Sequence, residues 1–513
     1  MKINQLKLGS ILSYVQMALN VLINLIYTPI MIRFLGQGEY GLYQTVVSTI
    51  SMLSILSLGF NAGYIRYYAK YKSENNWEAI HKLNGLFLVI FSVIGAVGCV
   101  CCLYLTFHLD LIFASGLTSE EYAIARVLMF LQTVNLTVTF PMSVFQSIIT
   151  VHEKFVVLKL LGMLKTVGIP LISLPLLLAG FRSIALVAVT VGISLFTDIL
   201  YLYYVLHVLK EKFAFRHFES GVFKDLFIFT CFIAINLIVD QINLNIDKVL
   251  LGRFRGTTAT AIYSIGFTIY QMYQMFSSSI SSVFTPRIHC IVNRTKNDPA
   301  LMEKQLTEIF IRVGRIQYLV LGLVATGIIF FGKTFIVRYW VGSGYEESYY
   351  VALLLVLPAS IALIQNLGIE IQRAQNKHRF RAIAYLIMAV VNLVLSIFLC
   401  QWYGPIGSAV GTAISLILAN GLLINIYYHK KCHVNILAFW KTTLRMSVGL
   451  ILPVGCGILI NIYCDMSRIV LFLLEIVLYT VVYVVSMWLF SMNRYEKDLV
   501  LKPVKGLLAK VKT

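Results

Sequence analysis

The chain has 513 residues, of which 59% are hydrophobic and 13% charged, with a formal net charge of +19 and a mean hydropathy of +0.82. Soluble globular domains carry about 25% charged residues, so this composition excludes an ordinary soluble enzyme. The basic excess of 42 Lys and Arg over 23 Asp and Glu is dealt unevenly between alternate loops, which reads as membrane topology and not as a nucleic-acid footprint.

Apolar runs of about 20 residues can cross a bilayer as helices. Fourteen are predicted, at roughly 9–32, 41–63, 84–107, 123–150, 156–179, 183–207, 224–246, 257–283, 316–332, 350–370, 382–402, 406–428, 446–464 and 468–490. Gly, Pro and Ser within them are compatible with membrane helices. With the N-terminus in the cytoplasm, about three quarters of the Lys and Arg fall on cytoplasmic loops and span ends, and both termini lie inside. The first run lacks a small-residue cleavage signature and is expected to be retained. Cys99, Cys101 and Cys102 sit in an apolar run without neighbouring His or carboxylate. Neither a metal site nor a disulfide framework is expected.

A short motif follows the first run, Arg33-Phe34-Leu35-Gly36 and then Tyr40-Gly41-Leu42-Tyr43. It returns after the seventh as Arg253-Phe254-Arg255-Gly256 and then Ala261-Ile262-Tyr263, about 220 residues on. Lys154-Phe155 and Arg379-Phe380, Ile193-Ser194-Leu195 and Ile414-Ser415-Leu416, and Arg66 and Arg287 recur at nearly the same offset. The expected fold is an all-α polytopic membrane protein of about fourteen transmembrane helices. Two six-helix bundles would be related by a pseudo-two-fold axis along the membrane normal, the plan of transporters that rock around a central cavity. The expected divisions are an N-terminal lobe at 1–215, a C-terminal lobe at 216–432, and an accessory pair of spans with a basic tail at 433–513. In that tail Lys497, Lys502, Lys505, Lys510 and Lys512 alternate with apolar residues, a pattern suited to an anionic leaflet.

No connection exceeds about 25 residues, leaving no room for a soluble catalytic domain, and the chain is not expected to be an enzyme. The largest external loop, Lys333–Tyr349, offers only Glu346 and Glu347 as acids, which argues against a membrane glycosyltransferase or polymerase. Gly327 followed by Gly332-Lys333-Thr334 matches a phosphate-loop pattern, but it closes a membrane span instead of linking a strand to a helix. Asn135-Leu136-Thr137, within a span, is a chance glycosylation match.

Polar residues inside the spans are the remaining signal. Asn236, Asp240, Asn243 and Asp247 are spaced 4, 3 and 4 apart and share a helix face. The repeat places Gln16 and Asn20 opposite the first two, with Asn24 one turn further. A carboxylate in lipid costs several kcal/mol, so Asp240 should meet water, a partner or a ligand. These residues form either a hydrophilic cavity or a structural zipper of amides between helices. Asp247-Lys248 is read as a local charge pair or a gate, and Asp198 has no partner nearby in sequence. Glu370 and Arg373 read as a pair at a helix end, and Glu475 is an isolated acid in the fourteenth span.

Gly36, Glu39-Tyr40-Gly41-Leu42-Tyr43, Leu58-Gly59 and Arg66-Tyr67 resemble the opening of the polysaccharide transporter, or O-antigen flippase-like, branch of the multidrug/oligosaccharidyl-lipid/polysaccharide exporter superfamily. Asp247-Lys248 with Gly252-Arg253-Phe254, and Gln372 through Lys377, extend the resemblance over most of residues 1–430. It implies a flippase that moves undecaprenyl-pyrophosphate-linked oligosaccharide to the outer leaflet of a bacterial cytoplasmic membrane by alternating access. Expected partners are that lipid, membrane lipid and polysaccharide polymerase machinery. The alternative is an ion-coupled multidrug or cation antiporter of the same superfamily. No organic cofactor is expected, and Na+ or H+ is the candidate coupling ion. The substrate cavity would use Gln16, Asn20, Asn24, Asn236, Asp240 and Asn243. A pyrophosphate needs cations along its route, for which Arg66, Lys165 and Arg287 are candidates. Asp240, Asp247, Lys248 and Asp198 are candidates for coupling or gating.

Overall fold

The computed structural model describes residues 5–114, 116–215, 220–499 and 501, and every regular element among them is helical. In chain order these are α1 (Gln5–Met52), α2 (Phe60–Ser73), α3 (Trp77–Phe107), α4 (Ser119–Val151), α5 (Phe155–Leu178), α6 (Arg182–Tyr203), α7 (Ser220–Phe254) and α8 (Thr257–Arg294). They continue with α9 (Pro299–Thr334), α10 (Glu346–Ile364), α11 (Leu367–Ala374), α12 (His378–Leu416), α13 (Ile424–Lys431), α14 (Ile436–Leu444), α15 (Ile451–Tyr463) and α16 (Ile469–Phe490). Ten helical stretches among the described residues are long and apolar enough to cross a membrane. The chain is an all-α polytopic membrane protein.

Two of those stretches, Ile11–Ser73 and Arg379–Lys431, are 63 and 53 residues long, more than twice a single crossing. Each contains a sharp break. Gly36 (φ 76°, ψ 171°) divides α1, and Gly404 (φ 59°, ψ −135°), followed by Pro405, divides α12. Gly36 ends the first Arg-Phe-x-Gly motif, and Gly256, which ends the second, also has a positive φ of 86°. A side chain at Gly36 would meet nothing within 4 Å, so backbone conformation and not space selects glycine there. A second break at Leu58 and Gly59, both left-handed, precedes α2. α2 then continues to Ser73, ten residues beyond the expected end of the second span, so Arg66 lies within a helix instead of just after one.

Sequence-local chemistry fixes the helix ends. Thr118 and Glu121 form a reciprocal capping box at the start of α4, with bonds of 2.9 and 3.2 Å. Asp298 caps α9 through Leu301 N–H at 3.0 Å, ahead of Pro299 in the first turn.

By packing, the chain divides into two compact units, Met1–Ile265 with Tyr385–Thr412, and Gly266–Ala384 with Ala413–Thr513. Packing density is a different criterion from sequence duplication, and the lobes 1–215, 216–432 and 433–513 stand as a proposal. In the first unit α1 packs along α5 and α7, and α3 along α4. A Cβ on Gly41 would lie 1.7 Å from the Thr257 carbonyl oxygen, and one on Gly252 would lie 2.6 Å from the Thr45 methyl carbon. Thr45 in turn donates to the Gly41 carbonyl at 2.9 Å and lies 3.2 Å from the Thr260 hydroxyl. Small residues thus let these membrane helices approach closely. Glu39, from the same opening motif, accepts hydrogen bonds from the Ser183 N–H (2.9 Å) and hydroxyl at the start of α6.

The segment leading from α6 toward α7 is tied to the ends of α2, α3 and α4. Glu211 meets His152 at 2.7 Å and accepts from Asn84 at 3.0 Å and Tyr68 at 3.1 Å. Burial pushes the Glu211 carboxyl up, but these hydrogen bonds more than offset it, so it titrates below its ordinary range.

In the second unit, the residues just after α16, Ser491 to Lys497, are anchored. Buried Arg315 of α9 grips Glu496 through Nε (2.5 Å) and Nη2 (2.9 Å), and Nη2 also donates to the Ser491 carbonyl at 2.8 Å. Lys497 lies over the Trp488 ring at 5.6 Å. Lys502, Lys505, Lys510 and Lys512 lie outside the described residues. Glu370 and Arg373 pair at 2.7 Å, as their spacing predicts. Glu475 is buried, and nothing in the structure explains why its Oε2 lacks a hydrogen-bond partner among the described residues.

Candidate functional site

The polar stripe lies on two helices of the first unit that pack against one another, α1 and α7. On α7, Asn236 and Asp240 are exposed and Asn243 is half-buried; on α1, Asn24 is exposed while Gln16 and Asn20 are half-buried. Gln16 leans on α5, where its Nε2 lies 2.7 Å from the position a Cβ on Gly162 would take. Missed in the sequence was a second amide pair on α7, Asn245 donating to Gln241 at 2.7 Å. An exposed carboxylate and amides at mid-helix are costly against hydrocarbon, so this face suits an aqueous space.

Asp247 shares the azimuth of this stripe but not its surroundings. It is buried and accepts hydrogen bonds from Tyr263 (2.7 Å), Ser408 (2.7 Å) and Thr412 (2.8 Å). Helical spacing put it on the polar face, but α8 and the second half of α12 cover that face at this depth. Ser408 and Thr412, four apart, were the available signal for its partners. Lys248 is half-buried, and its carbonyl accepts from Thr260 at 3.2 Å.

The structure joins two residues that the sequence left separate. Lys165 of α5 places Nζ 3.5 Å from Oδ1 of Asp198 on α6, and Thr139 of α4 donates toward Oδ2 at 3.4 Å. The Asp198 side chain is 1% exposed and that of Lys165 27%. Lys165 is therefore not a bare cation waiting for phosphate, and Asp198 is not solitary. In a double-mutant cycle, K165M and D198N are expected to couple by about 1–3 kcal/mol, because K165M strands the buried Asp198 carboxylate and D198N leaves the half-buried Lys165 without it. Equilibrium unfolding of the four proteins in mixed micelles checks this, and simple additivity would contradict it.

Arg66 and Arg287 are exposed on different units, Arg66 on α2 and Arg287 on α8. Arg287 lines a cavity of about 320 Å³ between the end of α8 and the start of α9, together with Arg294 and Arg312, neither of which was singled out from sequence.

Comparison with known proteins now adds to this geometry. A family model described as "Polysaccharide biosynthesis protein" matches residues 6–292. A Shigella flexneri protein named "Putative O-antigen transporter" is 21% identical over 410 residues, covering 78% of this chain and 92% of that one. Among solved structures, a lipid II flippase MurJ in an inward closed conformation has a TM-score of 0.67 at 16% identity, covering 96% of this chain and 99% of that one. An inward-facing multidrug resistance MATE family transporter of the MOP superfamily has a TM-score of 0.58 at 13% identity, covering 84% and 99%. At these identities the structures speak for the fold alone, which this chain shares with them. The family model spans more than half of the sequence, and the chain belongs to the polysaccharide biosynthesis protein family.

Proposed function

We propose that the protein is a flippase for lipid-linked oligosaccharide, moving an undecaprenyl-pyrophosphate-linked glycan from the cytoplasmic to the outer leaflet by alternating access. The observation that carries this reading is the exposed polar face of the packed α1–α7 pair, on helices whose other positions are mostly apolar. Amides along such a face exchange hydrogen bonds with sugar hydroxyls, while the isoprenoid tail stays in lipid. Family membership and the 21% identity to a protein named as an O-antigen transporter support the same substrate class.

The proposed setting is a bacterial cytoplasmic membrane, with fourteen passes and both termini inside. The glycine breaks at Gly36 and Gly404 support counting their long stretches as two passes each. Polysaccharide polymerase machinery is a proposed partner, and Na+ or H+ is the proposed coupling ion. Asp240, an exposed carboxylate, is also what a cation antiporter would need.

Leaflet exchange in proteoliposomes tests the reading. N20L/N236L is expected to slow exchange of a lipid-linked oligosaccharide about tenfold, the worth of one or two polar contacts, without loss of folded protein. D240N should change its pH or cation dependence. Wild-type rates in N20L/N236L would remove the stripe from the route, and unchanged ion dependence in D240N would end the coupling role.

A further inference from the structure

The hairpin between α8 and α9 carries charge that the polar stripe does not use. Arg287, Cys290 and Arg294 recur along one face of α8, and Gln305, Glu308 and Arg312 along the facing side of α9. Both faces lie in the second unit and line the open cavity of about 320 Å³. Liquid water takes about 30 Å³ per molecule, so the space exceeds what a single small ion fills. Arg312 donates to Glu308 at 2.7 Å and lies over the Tyr495 ring at 4.6 Å, which fixes its guanidinium. Arg287 and Arg294 have no ion-pair partner among the described residues. Three guanidiniums against one carboxylate leave the lining with two net positive charges.

We propose that this cavity binds a pyrophosphate group carried by a lipid. Guanidinium groups match phosphate oxygens two at a time, and facing arginines on two helices can clasp both phosphates of a pyrophosphate ester. Glu308 competes with the ligand for Arg312 and thereby weakens the hold, as a transport station that must release its cargo requires. On the proposed topology the hairpin lies on the cytoplasmic side, where the substrate would enter. Identifying the anion with the transported lipid rests on the function proposed above; binding of a pyrophosphate lipid does not.

The test uses full-length protein in phosphatidylcholine nanodiscs, titrated with farnesyl pyrophosphate and, separately, with inorganic pyrophosphate. R287Q/R294Q is expected to weaken farnesyl pyrophosphate binding by about tenfold or more, the worth of charge-assisted hydrogen bonds. K296Q/K304Q removes the same charge from exposed positions of the same hairpin outside the cavity lining and should leave binding within about twofold. E308Q should tighten binding. Equal losses in the two double variants would reduce the effect to diffuse surface charge and overturn the site. Inorganic pyrophosphate binding as tightly as the lipid would overturn the lipid assignment. Farnesyl pyrophosphate binding lost only in R287Q/R294Q, in a protein without leaflet exchange, would sustain the site and sink the flippase reading.

Discussion

Replacing Glu496 with alanine is expected to destabilise the protein by about 3–5 kcal/mol, the cost of leaving one member of a buried ion pair alone. Glu496 is 2% exposed and Arg315 8%, and two guanidinium nitrogens meet the two carboxylate oxygens. Glu496 also closes its own turn, accepting from Asn493 N–H at 2.8 Å and donating its N–H to the Asn493 side chain at 3.0 Å. Alanine would strand the guanidinium beside α9 and release the segment that follows α16. The double variant R315M/E496M should recover most of the loss, because two apolar side chains leave no uncompensated charge. Equilibrium unfolding in mixed micelles measures both. A loss below about 1 kcal/mol for E496A would show that the pair is effectively solvated and that the latch contributes little.

The second large effect is expected at Asp247. D247L removes an acceptor shared by three buried hydroxyls, of which Thr412 keeps Asn392 Oδ1 at 3.2 Å; each hydroxyl left unsatisfied costs about 1–3 kcal/mol, and the variant should yield little folded protein. D247N keeps one carbonyl oxygen with two lone pairs, and the third hydroxyl can rotate to accept from the new amide. It should therefore fold, at a cost of about 1 kcal/mol, and transport normally. Folded yield, unfolding midpoint and leaflet exchange separate the outcomes. A folded D247N protein without exchange would restore Asp247 to the coupling or gating role its sequence position invited.

Much of this fold is legible in the sequence, for a physical reason. Each membrane pass is a local event, set by about 20 apolar residues and their own backbone hydrogen bonds. The repeated glycines of the Arg-Phe-x-Gly motif are equally local, since Gly36 and Gly256 both take a positive φ. The polar stripe follows from helical periodicity, and the structure places its upper members on an exposed face. What periodicity cannot supply is the neighbour. Asp198 and Lys165 lie on successive helices, and Arg315 meets Glu496 from 181 residues away. The sequence presents each as an isolated charge, and Glu496 sits where a basic tail is the stronger signal. Asp247 shows the same limit, because its azimuth is that of Asp240 while its depth places it among hydroxyls. The arginine cavity of the α8–α9 hairpin needed the facing helix to become visible, although 287, 290 and 294 already share a face.

The central claim is that the exposed α1–α7 face carries a lipid-linked glycan. It is tested most directly by reconstituting the wild-type protein into liposomes and following two cargoes side by side. One is a fluorescent undecaprenyl-pyrophosphate oligosaccharide, whose leaflet exchange is read by quenching from outside; the other is a cationic dye, read by efflux. The flippase reading predicts protein-dependent exchange of the lipid with no dye efflux above protein-free vesicles. Dye efflux coupled to an ion gradient, without lipid exchange, would contradict it.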